Sequence, residues 1–211
     1  MSSLTNSGQS RRFRPCCPRG DDRGRFSVTL SFLPVVSPPA AFWTTLSLLG
    51  SPVVMAGLCL VLVAVLTIQR QPRAATACVL IAAGGGALNT WLKNLVHRPR
   101  PPGSELILHG HSWSFPSGHA MGSIIGYGLL FYVATRHWSI TGTAKTLLFT
   151  ASALLVVLIG ISRVALGVHY RGDVAGGWAI GAAWLLVCLS VMCRVDCSAD
   201  ANTTRGITPA P

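Results

Sequence analysis

Between Arg25 and Cys193 the chain carries only two carboxylates, Glu105 and Asp173. Asp173 closes the run SRVALGVHYRGD (162–173), where Arg163, His169 and Arg171 also separate two apolar segments. His169 and Asp173 are four residues apart and share one face if a helical turn begins there. A carboxylate bonded to one ring nitrogen fixes the tautomer and frees the other nitrogen as nucleophile or base. Arg163 adds a planar fork suited to phosphate oxygens. In KNLVHRPRP (93–101), Lys93 and Arg100 lie seven apart, nearly two helical turns, so they should point in similar directions. Pro99 and Pro101 should end that helix and curl Arg100 back. In FPSGHA (115–120), Pro116 suits a first helical turn, Ser117 can cap it, and Gly118 permits close backbone approach. The free N–H groups of such a helix start form an anion site, with His119 in its first turn.

Each segment alone has a plainer reading. Lys93 is then a lysine snorkelling from a span end, and PSGH a cap with an incidental histidine. Together, two imidazoles and three cations around a helix start suit in-line phosphoryl transfer, with charge stabilised by protein rather than metal. Glu105 and Asp173 alone cannot assemble a two-metal carboxylate site. His109 and His111 form an HxH without a clear third ligand, so neither metal nor cofactor is expected.

The elements that must hold these residues are membrane helices. Half of the 211 residues are hydrophobic, 11% are charged, and the mean hydropathy is +0.52. A soluble domain carries roughly a quarter charged residues. Uncharged stretches run 26–69, 74–92, 106–135, 146–162 and 174–193, and a crossing needs about 20 apolar residues. Five such runs leave too little polar surface to cover a soluble core. The expected spans are 26–48, weakened by Pro34, Pro38 and Pro39, or an interfacial helix in its place; then 51–68, 74–96, 117–135, 146–162 and 174–193. The GGG at 84–86 should let helices approach closely. The fold class is thus an all-α polytopic bundle of five to six transmembrane helices.

The net charge of +11 is distributed as a topology signal. Six arginines crowd residues 11–25; Arg70 and Arg73, then Arg136 and Lys145, then Arg194 mark every second gap between spans. This predicts cytoplasmic termini and no nucleic-acid partner. Loops 97–116 and 163–173 then share the outer face, where Lys93, Arg98, Arg100, Arg163 and Arg171 break the pattern and need another reason to be there. The seven cysteines suggest neither a disulfide framework nor a zinc site. No cleavable signal peptide is expected, because the apolar run starts late and contains prolines.

The three segments resemble the tripartite signature of the type 2 phosphatidic acid phosphatase superfamily: K-x6-RP, then PSGH, then SR-x5-H-x3-D. Here it reads Lys93 to Arg100-Pro101, Pro116-Ser117-Gly118-His119, and Ser162-Arg163 with His169 and Asp173, every spacing met. Arg98-Pro99 is a second RP, but the spacing selects Arg100. The resemblance implies a bacterial-type membrane lipid phosphatase with the phosphatase/haloperoxidase-like core. In it Lys93, Arg100, Ser117, Gly118 and Arg163 bind phosphate. His169 is the nucleophile, Asp173 orients it, and His119 protonates the leaving group. It implies a metal-independent hydrolase acting through phosphohistidine on phosphatidate, phosphatidylglycerophosphate or undecaprenyl diphosphate, with its site facing the periplasm from the plasma membrane. Lipid phosphates and membrane lipids are the expected partners, and the oligomeric state is open. The alternatives are a lipid phosphotransferase of the same family or a non-catalytic transporter or scaffold. The expected domains are an Arg-rich tail (1–25), a membrane domain (26–195) and a flexible C-terminal tail (196–211).

Overall fold

Prolines and glycines punctuate the described residues into six helices. The computed structural model describes residues 39–104 and 112–205, the side chains of 194–205 excepted. The helices are α1 (Ala40–Leu48), α2 (Pro52–Ile68), α3 (Pro72–Val96), α4 (Gly118–His137), α5 (Gly142–Ala165) and α6 (Arg171–Arg205). Among the described residues the architecture is all helical. The Arg-rich tail, Glu105, His109 and His111 lie outside them.

Among the described residues four segments are long and apolar enough to cross a bilayer: Ala40–Ile68, Pro72–Val96, Gly142–Ala165 and Arg171–Cys193. The chain is a multi-pass membrane protein. Its outer surface is apolar, with Val53 and Ile68 each 81% exposed and Leu80, Leu147 and Leu186 beside them in character. Hydrocarbon accepts such a surface, while helices satisfy their own backbone polar groups.

Three details differ from the sequence expectation. The span expected at 26–48 falls outside the described residues up to 38, and its remainder is the nine-residue α1. Alone α1 is too short to cross; a turn at Gly50 joins it to α2, where Ser51 accepts from the Val54 N–H at 3.3 Å and Pro52 opens the helix. The helix expected over 117–135 forms as α4 but is not among the four apolar segments. It packs against α2, α3, α5 and α6 and buries Met121, Ile125, Leu129 and Val133. A helix enclosed by other helices needs little lipid-facing apolar surface, so its hydropathy can fall. At the far end of the sequence, α6 continues through Arg205, into the segment expected as a tail.

Close packing places the helix ends that matter. A Cβ on Gly84 or Gly85 would stand 2.5 Å from the Trp184 ring or 2.4 Å from Ile125, so these two glycines of the GGG seat α3 against α6 and α4. Trp184 is anchored there by its indole N–H on the Ile81 carbonyl at 2.9 Å. On α6, Gly177 and Gly181 bring the backbone against α4, where a Cβ would meet the carbonyls of Ser117 at 2.8 Å and Met121 at 3.0 Å. This contact lays the start of α6 beside the start of α4. The Gly50 turn, residues 97–104 and 112–117, and the 166–170 loop all lie at this end of the bundle. Arg70, Arg73, Arg136 and Lys145 mark the opposite end.

Candidate active site

The third segment is shaped by α5 ending and α6 beginning. Both Val168 and His169 donate their N–H to the Arg163 carbonyl, at 3.2 and 3.3 Å, and Gly167 takes the turn with φ +69°. His169 therefore sits in the turn before α6, and Asp173 in its first helical turn, where the positive end of the helix dipole favours a carboxylate. Asp173 is fully buried and His169 is 3% exposed. Their closest approach, Nδ1 to Oδ2, is 3.6 Å, an ion-pair distance rather than a hydrogen bond. The hydroxyl of Ser114 stands between them, 3.4 Å from Nδ1 and donating a short bond to Oδ2.

The partners assign the tautomer. Arg100 Nη1 lies 3.3 Å from His169 Nε2, and a guanidinium only donates. Nε2 thus carries the lone pair, and Nδ1–H faces Ser114 and Asp173. Burial, with Arg100, Arg163 and Lys93 nearby, pushes His169 down to about 3, and Asp173 pulls the other way. A base with so low a value stays neutral at every pH above it, and its nucleophilic nitrogen stays free of a proton. At pH 5 an ordinary histidine, with a pKa near 6.5, is mostly protonated. A nitrogen-15 spectrum of histidine-labelled protein at pH 5 without phosphate should show His169 as neutral imidazole; an imidazolium signal would contradict this geometry.

The cations reach the site by different routes. α3 ends at Val96, with His97 in the left-handed region at φ 49°. Lys93 and Arg100 consequently do not share a helix face, as their spacing suggested; Arg100 arrives on the Pro-restrained loop. It is fixed by Nε to the Ser112 carbonyl (2.7 Å), Nη2 to the Ser112 hydroxyl (2.7 Å) and Nη1 to the Val168 carbonyl (2.9 Å). Burial lowers the Arg100 guanidinium from its usual value, yet at neutral pH it remains a cation. Lys93 Nζ donates to the Trp113 carbonyl at 2.6 Å. Arg163 is 6% exposed, bonds Ser47 of α1 through Nη1, and leaves Nε buried without a partner.

In the PSGH segment, α4 begins at Gly118, so Pro116 precedes the helix instead of opening its first turn. Ser117 holds the N-cap position, but its hydroxyl makes no capping bond and is buried without a partner. Its N–H is taken by the Asp173 carbonyl at 3.0 Å, which ties α4 directly to α6. A Cβ on Gly118 would stand 3.3 Å from Asn89 Oδ1 of α3. His119 lies within electrostatic reach of Arg163, Arg100 and Lys93. The structure thus gathers Lys93, Arg100, Ser117, Gly118, His119, Arg163, His169 and Asp173 at one end of the bundle.

Four residues outside the signature join them: Ser47, Arg98, Ser112 and Ser114. Arg98 donates from Nη1 to Asp173 Oδ1 at 2.8 Å. Its RP dipeptide was visible in the sequence, whereas the serines carry no spacing signal that would single them out. The unsatisfied donors of Ser117 and Arg163, the helix start and the lone pair on His169 together suit a tetrahedral oxyanion attacked by the imidazole.

Below this cluster lies a cavity of about 570 Å³ between α2, α3 and α4, with Asn89 and Gly118 at its upper end and Leu62 and Leu129 lower down. Its walls are almost entirely apolar.

The family model of the PAP2 superfamily matches residues 73–195. Phosphatidylglycerophosphatase B of Bacillus subtilis (strain 168) is 39% identical over 94 residues, 44% of this chain. That match spans 46% of the relative, about half its length. Among solved structures, the transmembrane PAP2-type phosphatidylglycerolphosphate phosphatase from Bacillus subtilis is similar with a TM-score of 0.68 at 28% identity, covering 74% of this chain and 77% of that one. LpxE of Aquifex aeolicus is similar with a TM-score of 0.53 at 27% identity, over 72% of this chain and 85% of its own.

Proposed function

This chain belongs to the PAP2 superfamily, and from that premise we propose that it is a membrane lipid-phosphate phosphatase working through a phosphohistidine on His169. The observation that carries the reading is continuity between the polar cluster and the apolar cavity, which meet at Gly118. From Gly118 to Leu129 the α4 wall of the cavity runs about 16 Å at 1.5 Å per residue. One leaflet of the hydrocarbon core is about 15 Å deep, half of roughly 30 Å. A lipid tail fits such a space with its phosphate at the helix start.

In this reading the phosphate oxygens take Arg100, Arg163, Lys93, the Ser117 hydroxyl and the Gly118 backbone. Nε2 of His169 attacks phosphorus, the phosphorus–oxygen bond to the lipid breaks, and His119 protonates the departing oxygen. Water then attacks the phosphohistidine, giving a proton to His119 and releasing phosphate. The charge stabilisation comes from guanidinium and ammonium groups. Asp173 is no free metal ligand in this scheme, since Arg98, Ser114 and the Tyr170 N–H occupy its oxygens. The basic residues at the opposite end support a site outside the plasma membrane, with cytoplasmic termini and a membrane domain over 26–195.

The test is hydrolysis by purified protein across phosphatidate, phosphatidylglycerophosphate and undecaprenyl diphosphate in excess EDTA, with p-nitrophenyl phosphate as a tail-free control. Activity on none of the lipids, or activity restored only by magnesium, would overturn the proposal. Gly122→Leu adds a selective arm. Gly122 lines the cavity, and a Cβ there has only Met55 within 4 Å, at 3.8 Å. A leucine should fill tail space and lower lipid kcat/KM by about 10-fold or more, leaving p-nitrophenyl phosphate turnover unchanged. Equal loss on both substrates would remove the tail from this cavity.

A further inference from the structure

We infer that Arg98 is a positioning residue for the His169–Asp173 pair, so that Arg98-Pro99-Arg100-Pro101 forms a clamp with one guanidinium at each end of that pair. This rests on the reading of His169 as nucleophile. Arg100 Nη1 stands 3.3 Å from Nε2, at the end of the imidazole that faces phosphorus. Arg98 Nη1 stands 2.8 Å from Asp173 Oδ1, at the end of the carboxylate that faces away from the histidine. The run suits that reach. Pro99 and Pro101 bias Arg98 and Arg100 toward extended backbone, in which residues two apart point the same way about 7 Å from one another.

Arg98 itself is held from two sides. Its guanidinium stacks over the Tyr170 ring, 4.5 Å from the centroid, a cation–π contact. Its carbonyl accepts the Ser114 N–H at 2.8 Å, so the same residue also places the hydroxyl bridging Asp173 and His169. Asp173 has no exposure, whereas the Arg98 side chain is 41% exposed. Arg98 therefore brings charge from the surface to a carboxylate that water cannot reach. With Oδ1 taken by Arg98, Oδ2 is left for Ser114, the Tyr170 N–H and His169. That division fixes the carboxylate plane and keeps the proton on Nδ1. Arg98 touches neither the phosphate cradle nor the leaving group, so its effect should fall on the chemical step.

The experiment compares full-length Arg98→Ala, Arg98→Lys and Arg100→Ala proteins, with His169→Ala as control. Arg98→Ala should lower kcat about 10- to 100-fold, the scale at which outer partners of a functional histidine act, with KM nearly unchanged. Arg100→Ala should raise KM. Arg98→Lys keeps a point charge near Oδ1 and should recover most of the kcat loss. In nitrogen-15 spectra, Arg98→Ala should shift the His169 Nδ1–H signal as the Asp173 carboxylate loses its hold on Oδ1, while Arg100 keeps Nε2 unprotonated. A merely structural role in the loop would leave that signal in place. Wild-type kcat in Arg98→Ala, a KM rise like that of Arg100→Ala, or a kcat loss with an unchanged His169 Nδ1–H signal would each overturn the inference. Turnover persisting in His169→Ala would instead break the nucleophile assignment, and the Nδ1–H signal would still report whether Arg98 governs the pair.

Discussion

His169→Ala is expected to lower turnover of every substrate by about 10⁴-fold or more and to leave no phosphorylated protein in an alkaline quench with labelled phosphate. The magnitude follows from removing the attacking atom itself. His169 is 3% exposed and held by its own backbone to Arg163, so its imidazole is fixed in the cluster. The leaving group should not matter, because without Nε2 no bond to phosphorus forms on any substrate. His119→Ala should differ in kind. With p-nitrophenyl phosphate, whose leaving anion needs little protonation, the adduct should still form and then persist, since water lacks its base. Adduct on His169→Ala, or equal loss of the first step in both variants, would reverse or collapse the assignment.

Much of the candidate site was legible because cations and imidazoles stand out where a membrane chain otherwise avoids them. Lys93, Arg100, Arg163, His119, His169 and Asp173 stood out for that reason, and the structure gathers them. Less legible were contacts made by backbone and by small hydroxyls. Ser114 is one of many serines until the fold sets it against Asp173 at the start of α6. Ser47 matters only once α1 packs on α5 and brings it to Arg163. Spacing also misled in one respect. The interval from Lys93 to Arg100 looked helical, yet His97 ends α3 in a left-handed turn and the loop completes the reach.

The helices show the same division. The span starts expected at 51 and 74 fall within two residues of the observed Pro52 and Pro72, where proline suits a first turn. The centrality of α4 was not, since its apolar residues serve protein contacts and its hydropathy is lower than that of the lipid-facing helices. Glycines carried part of that information. The GGG at 84–86 predicted close packing, and two of its members meet Trp184 and Ile125. Which partner each would meet depended on Gly177 and Gly181 drawing α6 onto α4.

Asp173→Asn should cost about 10³- to 10⁴-fold in kcat, the scale seen when a histidine loses the carboxylate that orients it. The shape of the side chain is kept, so the cause must be chemical. Three donors converge on the carboxylate: Arg98 Nη1 on Oδ1, with Ser114 Oγ and the Tyr170 N–H on Oδ2. An amide offers one oxygen and one NH₂, and the NH₂ must face at least one of those donors. If it faces Arg98, the ion pair is lost while the Ser114 bridge survives. If it faces Ser114, the hydroxyl can no longer donate there and must turn its hydrogen toward Nδ1, which favours the wrong tautomer. Either arrangement removes the negative charge that stabilises a histidine becoming cationic as it attacks. Phosphate affinity should not fall, because Asp173 repels the anion rather than binding it. Ser117 should keep its anchor, since its N–H bonds the Asp173 main-chain carbonyl. The measurements are single-turnover adduct formation, KM and thermal stability on the purified variant. Adduct forming within about tenfold of the wild-type rate, in protein whose melting temperature is preserved, would remove Asp173 from the chemical step.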